Sequence, residues 1–321
     1  MDKRIGTSVS KAAKLLGSGQ LVAIPTETVY GLAANALDVK AVQSIFNVKN
    51  RPVFNPLIVH VKSVNEFYKY AKNVPVQCLD LANALSPGPI TFVLSKKDIV
   101  PDHTTGGGNS VALRIPNHPL TLALLNQLDF PLAAPSANPS NYISPVTALH
   151  VLEQLGGKIP YILDGGDCQV GIESTVVCFE EDTTIILRLG GQDIAAIEQI
   201  VGKVELRINQ ASNPQSPGQL KSHYAPKTPF LLGGIQELIK INPNKRIGVI
   251  AFGANFQSQS EVSRTYNLSS QGSTSEAASN IFKALREMDS SQLDLIIAAP
   301  IPNEGLGAAV NDRLERAAAV S

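Results

Sequence analysis

A short apolar run, Leu21-Val22-Ala23-Ile24, halts at Pro25 and gives way at once to Thr26-Glu27-Thr28-Val29-Tyr30-Gly31. Apolar runs of that length read as buried strands. Proline has no N–H with which to extend strand pairing. An ordinary surface turn would draw on Asn, Asp, Gly or Ser rather than on three hydroxyls and an acid. Polar groups placed at the end of a buried strand suit the orientation of a small polar ligand. Standing alone, the heptad would be a decorated strand-end loop, but the pattern returns along the chain.

The spacing of Val9, Ala12, Ala13 and Leu16 predicts a helix over 8–17, stopped by Gly17-Ser18-Gly19. Asp38 is placed to cap a helix through Val42, Ile45 and Phe46, which runs out at Lys49-Asn50-Arg51-Pro52. Cations at a helix end complement its dipole, and the same pair could clamp phosphate. Strands are expected at 57–61 (with His60 among apolar neighbours), 91–95, 110–116, 131–134, 161–164 and 184–189. Helices are expected at 63–72, 75–85, 118–128 and 145–155. Arg114 interrupts one apolar strand and Arg188 closes another, and a buried Arg wants a carboxylate or phosphate partner. Residues 135–145, Pro-Ser-Ala-Asn-Pro-Ser-Asn-Tyr-Ile-Ser-Pro, form a stiff polar loop leaving a buried strand. Gly106-Gly107-Gly108 could bring backbone amides near an anion, but no Gly-Lys-Ser/Thr follows to make a P-loop.

Composition changes around 208–229, where Asn, Gln, Ser, Pro and Gly mark a linker that ends in Lys221-Ser222-His223-Tyr224. Beyond it, helices at 235–241, 275–288 and 306–319 alternate with strands at 246–252, 262–268 and 293–298, which implies a small parallel α/β layer. The organisation expected is therefore a catalytic α/β domain over 1–207, a linker over 208–229 and a second domain over 230–321.

Bulk properties narrow the function. Net charge is zero, with 16 Lys+Arg against 18 Asp+Glu through residue 205 and 11 against 9 beyond it. Neither part is a basic polyanion-binding module, and 5% aromatics without Trp argue against base-stacking platforms. The three cysteines, Cys78, Cys168 and Cys178, have no C-x-x-C spacing, and the five histidines make no H-x-H or H-x-x-x-H pair. A disulfide framework and a dedicated metal site therefore lack support, and a soluble, cytoplasmic protein is expected. No nucleophile–base pair is recognisable: Ser136 lacks the G-x-S-x-G elbow. Cations and hydroxyls without a nucleophile fit phosphoryl or nucleotidyl transfer, done by positioning and charge stabilisation.

Seven segments, PTETVYGLA, KNRPVFNPLIVHV, SVALRIP, APSANPSNYISP, ILDGGDCQVGIESTVV, SPGQLKSHYAP and NDRLERAA, together resemble the Sua5 branch of the YrdC/Sua5 family over nearly the whole chain. The resemblance implies a twisted, open mixed sheet around a deep pocket, followed by a small Rossmann-like domain. It implies formation of threonylcarbamoyl-adenylate from threonine, bicarbonate or CO2, and ATP carrying Mg2+. It also implies hand-over of the product to the machinery that modifies adenosine 37 of tRNA. By the same resemblance, Thr28, His60, Arg114, Ala134 and Ser174 would hold threonine. Lys49, Arg51, Asn55, Ser110, Ser136, Ser144, Arg188, His223 and Tyr224 would hold ATP, with the last two acting as a lid. Lys49, Arg51 and Arg114 would be the cations that serve the chemistry.

Two departures stand out: Leu189 occupies a position where the family usually has Pro, and Asn141 one where Gly is common. An RNA-binding module on the same pocket and transfer from carbamoyl phosphate are the competing readings. Low charge and few aromatics weigh against the first. The absence of acylphosphatase and zinc-finger segments from this chain weighs against the second.

Overall fold

The computed structural model describes residues 2–208, 224–254 and 261–319. Among them, eleven strands form one mixed sheet in the order Ile5–Gly6, Tyr161–Leu163, Val22–Ile24, Gly31–Asn35, Leu132–Ala133, Ile58–His60, Ser110–Arg114, Ile90–Ser95, Thr175–Glu180, Thr183–Arg188 and Glu205–Leu206. The apolar runs read from the sequence supply most of its middle. Helices Val9–Gly17 and Pro119–Gln127 contribute Ala12, Leu16, Leu124 and Leu125 to a core with Val22, Ile24, Tyr161 and Leu163.

Local signals act as their chemistry requires. Ser8 accepts a hydrogen bond from the Lys11 amide at the start of the first helix. Asp38 accepts from the Lys40 and Ala41 amides, and the helix it caps, Val39–Lys49, ends at Asn50 with φ of 51°. Asn141, in the position where Gly was expected, has φ of 68°, a conformation Asn tolerates.

Several elements differ from expectation. The helix expected over 63–72 is a 3-10 turn, Val64–Glu66, and a single helical turn, Phe67–Tyr70. The stretch before the glycine loop is a short helix, Asp102–Thr105. Strands Ile5–Gly6, Gly31–Asn35 and Phe230–Leu232 and helix Ile194–Val201 were not anticipated.

The second sheet is wholly parallel, in the order Phe230–Leu232, Leu295–Ala298, Ile247–Ala251, Val262–Asn267. Its core is Ile239, Ile247, Val249, Ala251, Leu295 and Ile297. The chain divides into two compact units, and the division is not linear in sequence. The second unit comprises 221–321 together with Asn141–Ile143 and Val170–Ile172. Within it, Tyr142 donates to Asp289 at 2.6 Å, and Gly171, with φ of +78°, lies against the backbone of Ala278 and Ser279.

The glycine loop has a steric basis. Gly106 ends helix Asp102–Thr105 in the left-handed region, with φ of 63°. A Cβ there would stand 2.4 Å from the Phe54 carbonyl oxygen. Gly107 is also left-handed, with φ of 83°, yet has open space around it. Gly106→Ala is expected to cost about 2 kcal/mol or more, through both strain and overlap. Gly107→Ala should cost about 1 kcal/mol, through backbone conformation alone. Urea midpoints of the two variants measure the difference.

Candidate active site

The site is assembled at strand ends. Strands Ile58–His60 and Ser110–Arg114 run parallel with His60 in register with Arg114, and Leu132 lies opposite His60 on its other side. Arg114 is 4% exposed and Glu27 6%. Arg114 Nη2 lies 2.7 Å from Glu27 Oε1, so the heptad after Ile24 delivers its acid to the buried guanidinium. Neither atom is aligned with the other as hydrogen-bond donor and acceptor, and Glu27 Oε2 makes no hydrogen bond. Arg114 Nε donates to the Gly88 carbonyl at 3.3 Å. The expected ligand carboxylate beside Arg114 thus has a competitor inside the protein.

The heptad closes on itself. Thr26 Oγ1 accepts from the Thr28 and Val29 amides and donates to the Val29 carbonyl, and Thr28 Oγ1 lies 2.8 Å away. The Tyr30 hydroxyl donates to the Gly166 carbonyl and accepts from the Gly165 amide. Its backbone bonds the Pro145 carbonyl and the Ala137 amide, which pins the polar loop to the heptad.

Lys49 differs from the expected phosphate clamp. It is 1% exposed, and its ammonium donates to the Ser136 and Asn138 carbonyls. Burial, and then the charge of Arg51, push its pKa well down. Lys49 braces the loop that carries Ser136, because a buried ammonium must find oxygens. Arg51 donates to the Asn55 and Pro56 carbonyls, which turns 51–56 back on itself.

A second knot gathers around Ser174. Arg188 donates through Nε and Nη2 to the Ser174 carbonyl and through Nη2 to its hydroxyl, and Thr91 Oγ1 lies 2.7 Å from the same hydroxyl. Ser144 Oγ donates to Glu173 Oε1 at 2.6 Å. Leu189 follows a register irregularity between Ile186 and Arg188. Gly190 lies so close to the 173–175 backbone that a Cβ would be 2.3 Å from the Ser174 carbonyl carbon. Glycine is what that contact demands, and the Leu189 departure leaves it intact.

The remaining expected residues separate. The Ala134 amide is taken by the Ile58 carbonyl. Ser110 lies at the opposite end of its strand from Arg114, roughly 13 Å away by strand rise. It lines a cleft of about 510 Å3 with Phe54, Gly106, Gly108, Asn109 and Glu180. Tyr224, expected as a lid over nucleotide, is 1% exposed, with φ of 69°. Its ring packs 5.2 Å from that of Phe282 and 5.4 Å from the Arg313 guanidinium, all within the second unit. His223 lies outside the described residues.

Glu173 and Thr91 join the site without standing among the expected residues, and Glu27 joins it marked only by its place in the heptad. Glu27 and Glu173 each adjoin a candidate in sequence, Thr28 and Ser174, whereas Thr91, inside strand Ile90–Ser95, carries no such signal. A second cavity, of about 490 Å3, is lined by Thr26, Glu27, Asn117, His118, Gly165 and Asp167, among others.

His60 is 2% exposed, and burial, then the charge of Arg114, lower its pKa to about 3 from 6.5. Between those values the unfolded chain binds a proton that the folded one refuses, so stability falls as pH drops below about 6.5. His60→Gln should flatten that dependence by up to about 1.4 kcal/mol per pH unit across the window. Urea unfolding of both proteins at a series of pH values tests it.

The family model Sua5_yciO_yrdC, described as "Telomere recombination", matches residues 14–190. A second model, Sua5_C, described as the C-terminal domain of threonylcarbamoyl-AMP synthase, matches residues 193–319. A threonylcarbamoyl-AMP synthase of Pyrococcus abyssi is 41% identical, over 95% of this chain and 92% of its own length. One from Bacillus subtilis is 37% identical, over 97% and 92%. The crystal structure of P. abyssi Sua5 complexed with L-threonine superposes with a TM-score of 0.91 at 39% identity, covering 97% of this chain and 94% of that one.

Proposed function

The chain belongs to the Sua5/YrdC family, and we propose that it joins L-threonine, bicarbonate or CO2, and ATP into threonylcarbamoyl-adenylate, releasing pyrophosphate. This is the first step toward N6-threonylcarbamoyladenosine in tRNA. The observation that carries the reading is the buried Arg114 beside His60, at the end of paired parallel strands. A guanidinium there suits the carboxylate of a small amino acid, and a neutral imidazole beside it suits an uncharged side-chain hydroxyl. Thr28 and Ser174 would supply hydroxyls, and Ala134, beside Ile58 at the other end of that strand, would offer its backbone.

ATP would lie against the polar loop. Ser136 and Ser144 would meet it from that loop, Arg51 and Arg188 would meet its phosphates as positive charges held in place by backbone carbonyls, and Asn55 and Ser110 would hold its further parts. Lys49 serves by keeping the loop in place. The carbamate oxygen of carboxylated threonine attacks the α-phosphorus, and pyrophosphate leaves. Fixed cations stabilise the charge that develops on the phosphoryl oxygens, without a covalent enzyme intermediate. Mg2+ would arrive on ATP, where it would offset phosphate charge. Of the nearby carboxylates, Glu27 faces Arg114 through Oε1 and Glu173 accepts from Ser144. By the family resemblance, Tyr224 and His223 would cover the nucleotide. Bicarbonate as the carbon source and hand-over of the labile product to a tRNA-modifying transferase complete the proposal.

Pyrophosphate release from ATP and bicarbonate, with threonine present, absent or replaced by serine, tests the function. Threonine-dependent release should fall by about 10²-fold or more in Arg114→Ala and Lys49→Ala. Release that ignores threonine, or full activity in both variants, would overturn it.

A further inference from the structure

Carboxylation needs threonine as a free amine, whereas in water at neutral pH it is an ammonium ion. Nothing assigned so far removes that proton. Glu27 is buried, holds one oxygen 2.7 Å from Arg114, and leaves Oε2 without a hydrogen bond. An α-amino acid presents a carboxylate and an ammonium on neighbouring atoms of one carbon. A guanidinium and a carboxylate set side by side, each with unused hydrogen-bonding capacity, complement that zwitterion.

We propose that Glu27 is the base that takes the proton from the α-ammonium of the substrate, and that the cavity behind Glu27 carries this proton to water. The N–H bond breaks with its electron pair left on nitrogen, and the proton goes to Glu27 Oε2. The freed pair forms the N–C bond to CO2. The nitrogen of the resulting carbamic group then loses a second proton by the same route, leaving the carbamate anion. If bicarbonate is the carbon source, its oxygen departs as water and consumes one of the two protons.

The cavity of about 490 Å3 has the lining such a path needs. Glu27 and Thr26 form one wall, and Asn117, His118, Asp167 and Gln169 continue it. His118 holds Nε2 3.4 Å from the Gly165 carbonyl, while its buried Nδ1 has no partner. The other candidate bases are less suited. His60 is buried beside the positive charge of Arg114, Lys49 is committed to two carbonyls, and Glu173 accepts from Ser144.

A purely structural Glu27 would neutralise Arg114 and nothing more. The proposal rests on the synthase reading, and the two directions of the reaction separate them. Running backward, threonylcarbamoyl-adenylate and pyrophosphate yield ATP and carbamate by nucleotidyl transfer alone, with no change at the ammonium. In the full chain, Glu27→Gln should lower threonine- and bicarbonate-dependent pyrophosphate release by about 10²-fold or more. ATP formation from synthetic threonylcarbamoyl-adenylate should fall at least about tenfold less than that, any loss there reporting the altered surroundings of Arg114 rather than a lost base. Parallel loss in both directions would make Glu27 structural, and retention of both would make it dispensable; either overturns the proposal. If the unaltered protein formed no ATP from the adenylate, the synthase reading itself would fall, and this proposal with it. Should Glu27→Gln not fold, Glu27→Asp keeps the charge while withdrawing the carboxylate by one methylene. The same excess of forward over reverse loss is expected, and equal losses would refute it.

Discussion

The constraint on which this site turns is the burial of a guanidinium at the end of a strand. Arg114 cannot shed its charge, so the sheet around it must supply compensation. The heptad after Val22–Ile24 does so with Glu27, and the turn before Ile90–Ser95 adds the Gly88 carbonyl. Breaking such a pair from either side leaves a charge stranded in a medium where that costs several kcal/mol. The cost explains why so much chain is recruited. Thr26 ties the heptad, Tyr30 ties the heptad to 164–166 and to the polar loop, and Lys49 ties that loop to the helix before it.

Other cations repeat the theme. Arg51 turns back on the carbonyls of Asn55 and Pro56, and Arg188 grips both the backbone and the hydroxyl of Ser174. Each guanidinium is held by protein oxygens. Groups fixed in this way need little rearrangement when charge appears in front of them, which is the physical content of preorganisation. The hydroxyls are similarly committed, Ser144 to Glu173 and Thr91 to Ser174.

Features governed by neighbours in sequence were legible in advance. Asp38 and Ser8 cap the helices they precede, Pro25 stops its strand, and the strands and helices after residue 240 fall where periodicity puts them. Arg114 and Arg188 announced themselves as charges inside apolar runs. Partners far apart in sequence were not legible: Lys49 meets Ser136 across 87 residues, and Tyr30 meets Gly166 across 136. Ile5–Gly6 and Glu205–Leu206 are two-residue strands, too short to carry a period, so only the sheet defines them. The use of Gly106 depends on a Phe54 carbonyl that no local pattern reveals. The assignment of 141–143 and 170–172 to the second unit likewise has no signature in composition.

The brace formed by Lys49 has a consequence for how sequences of this kind can drift. On charge grounds alone, lysine to arginine is the gentlest exchange available. Here the ammonium is a compact donor to two carbonyls, in a place dry enough to push it toward its neutral form. Arginine has no accessible neutral form, and its planar fork is too broad for a gap shaped to one nitrogen. The chemically nearest neighbour in the genetic code is therefore among the least tolerable replacements, and the position is isolated by shape and by proton affinity at once.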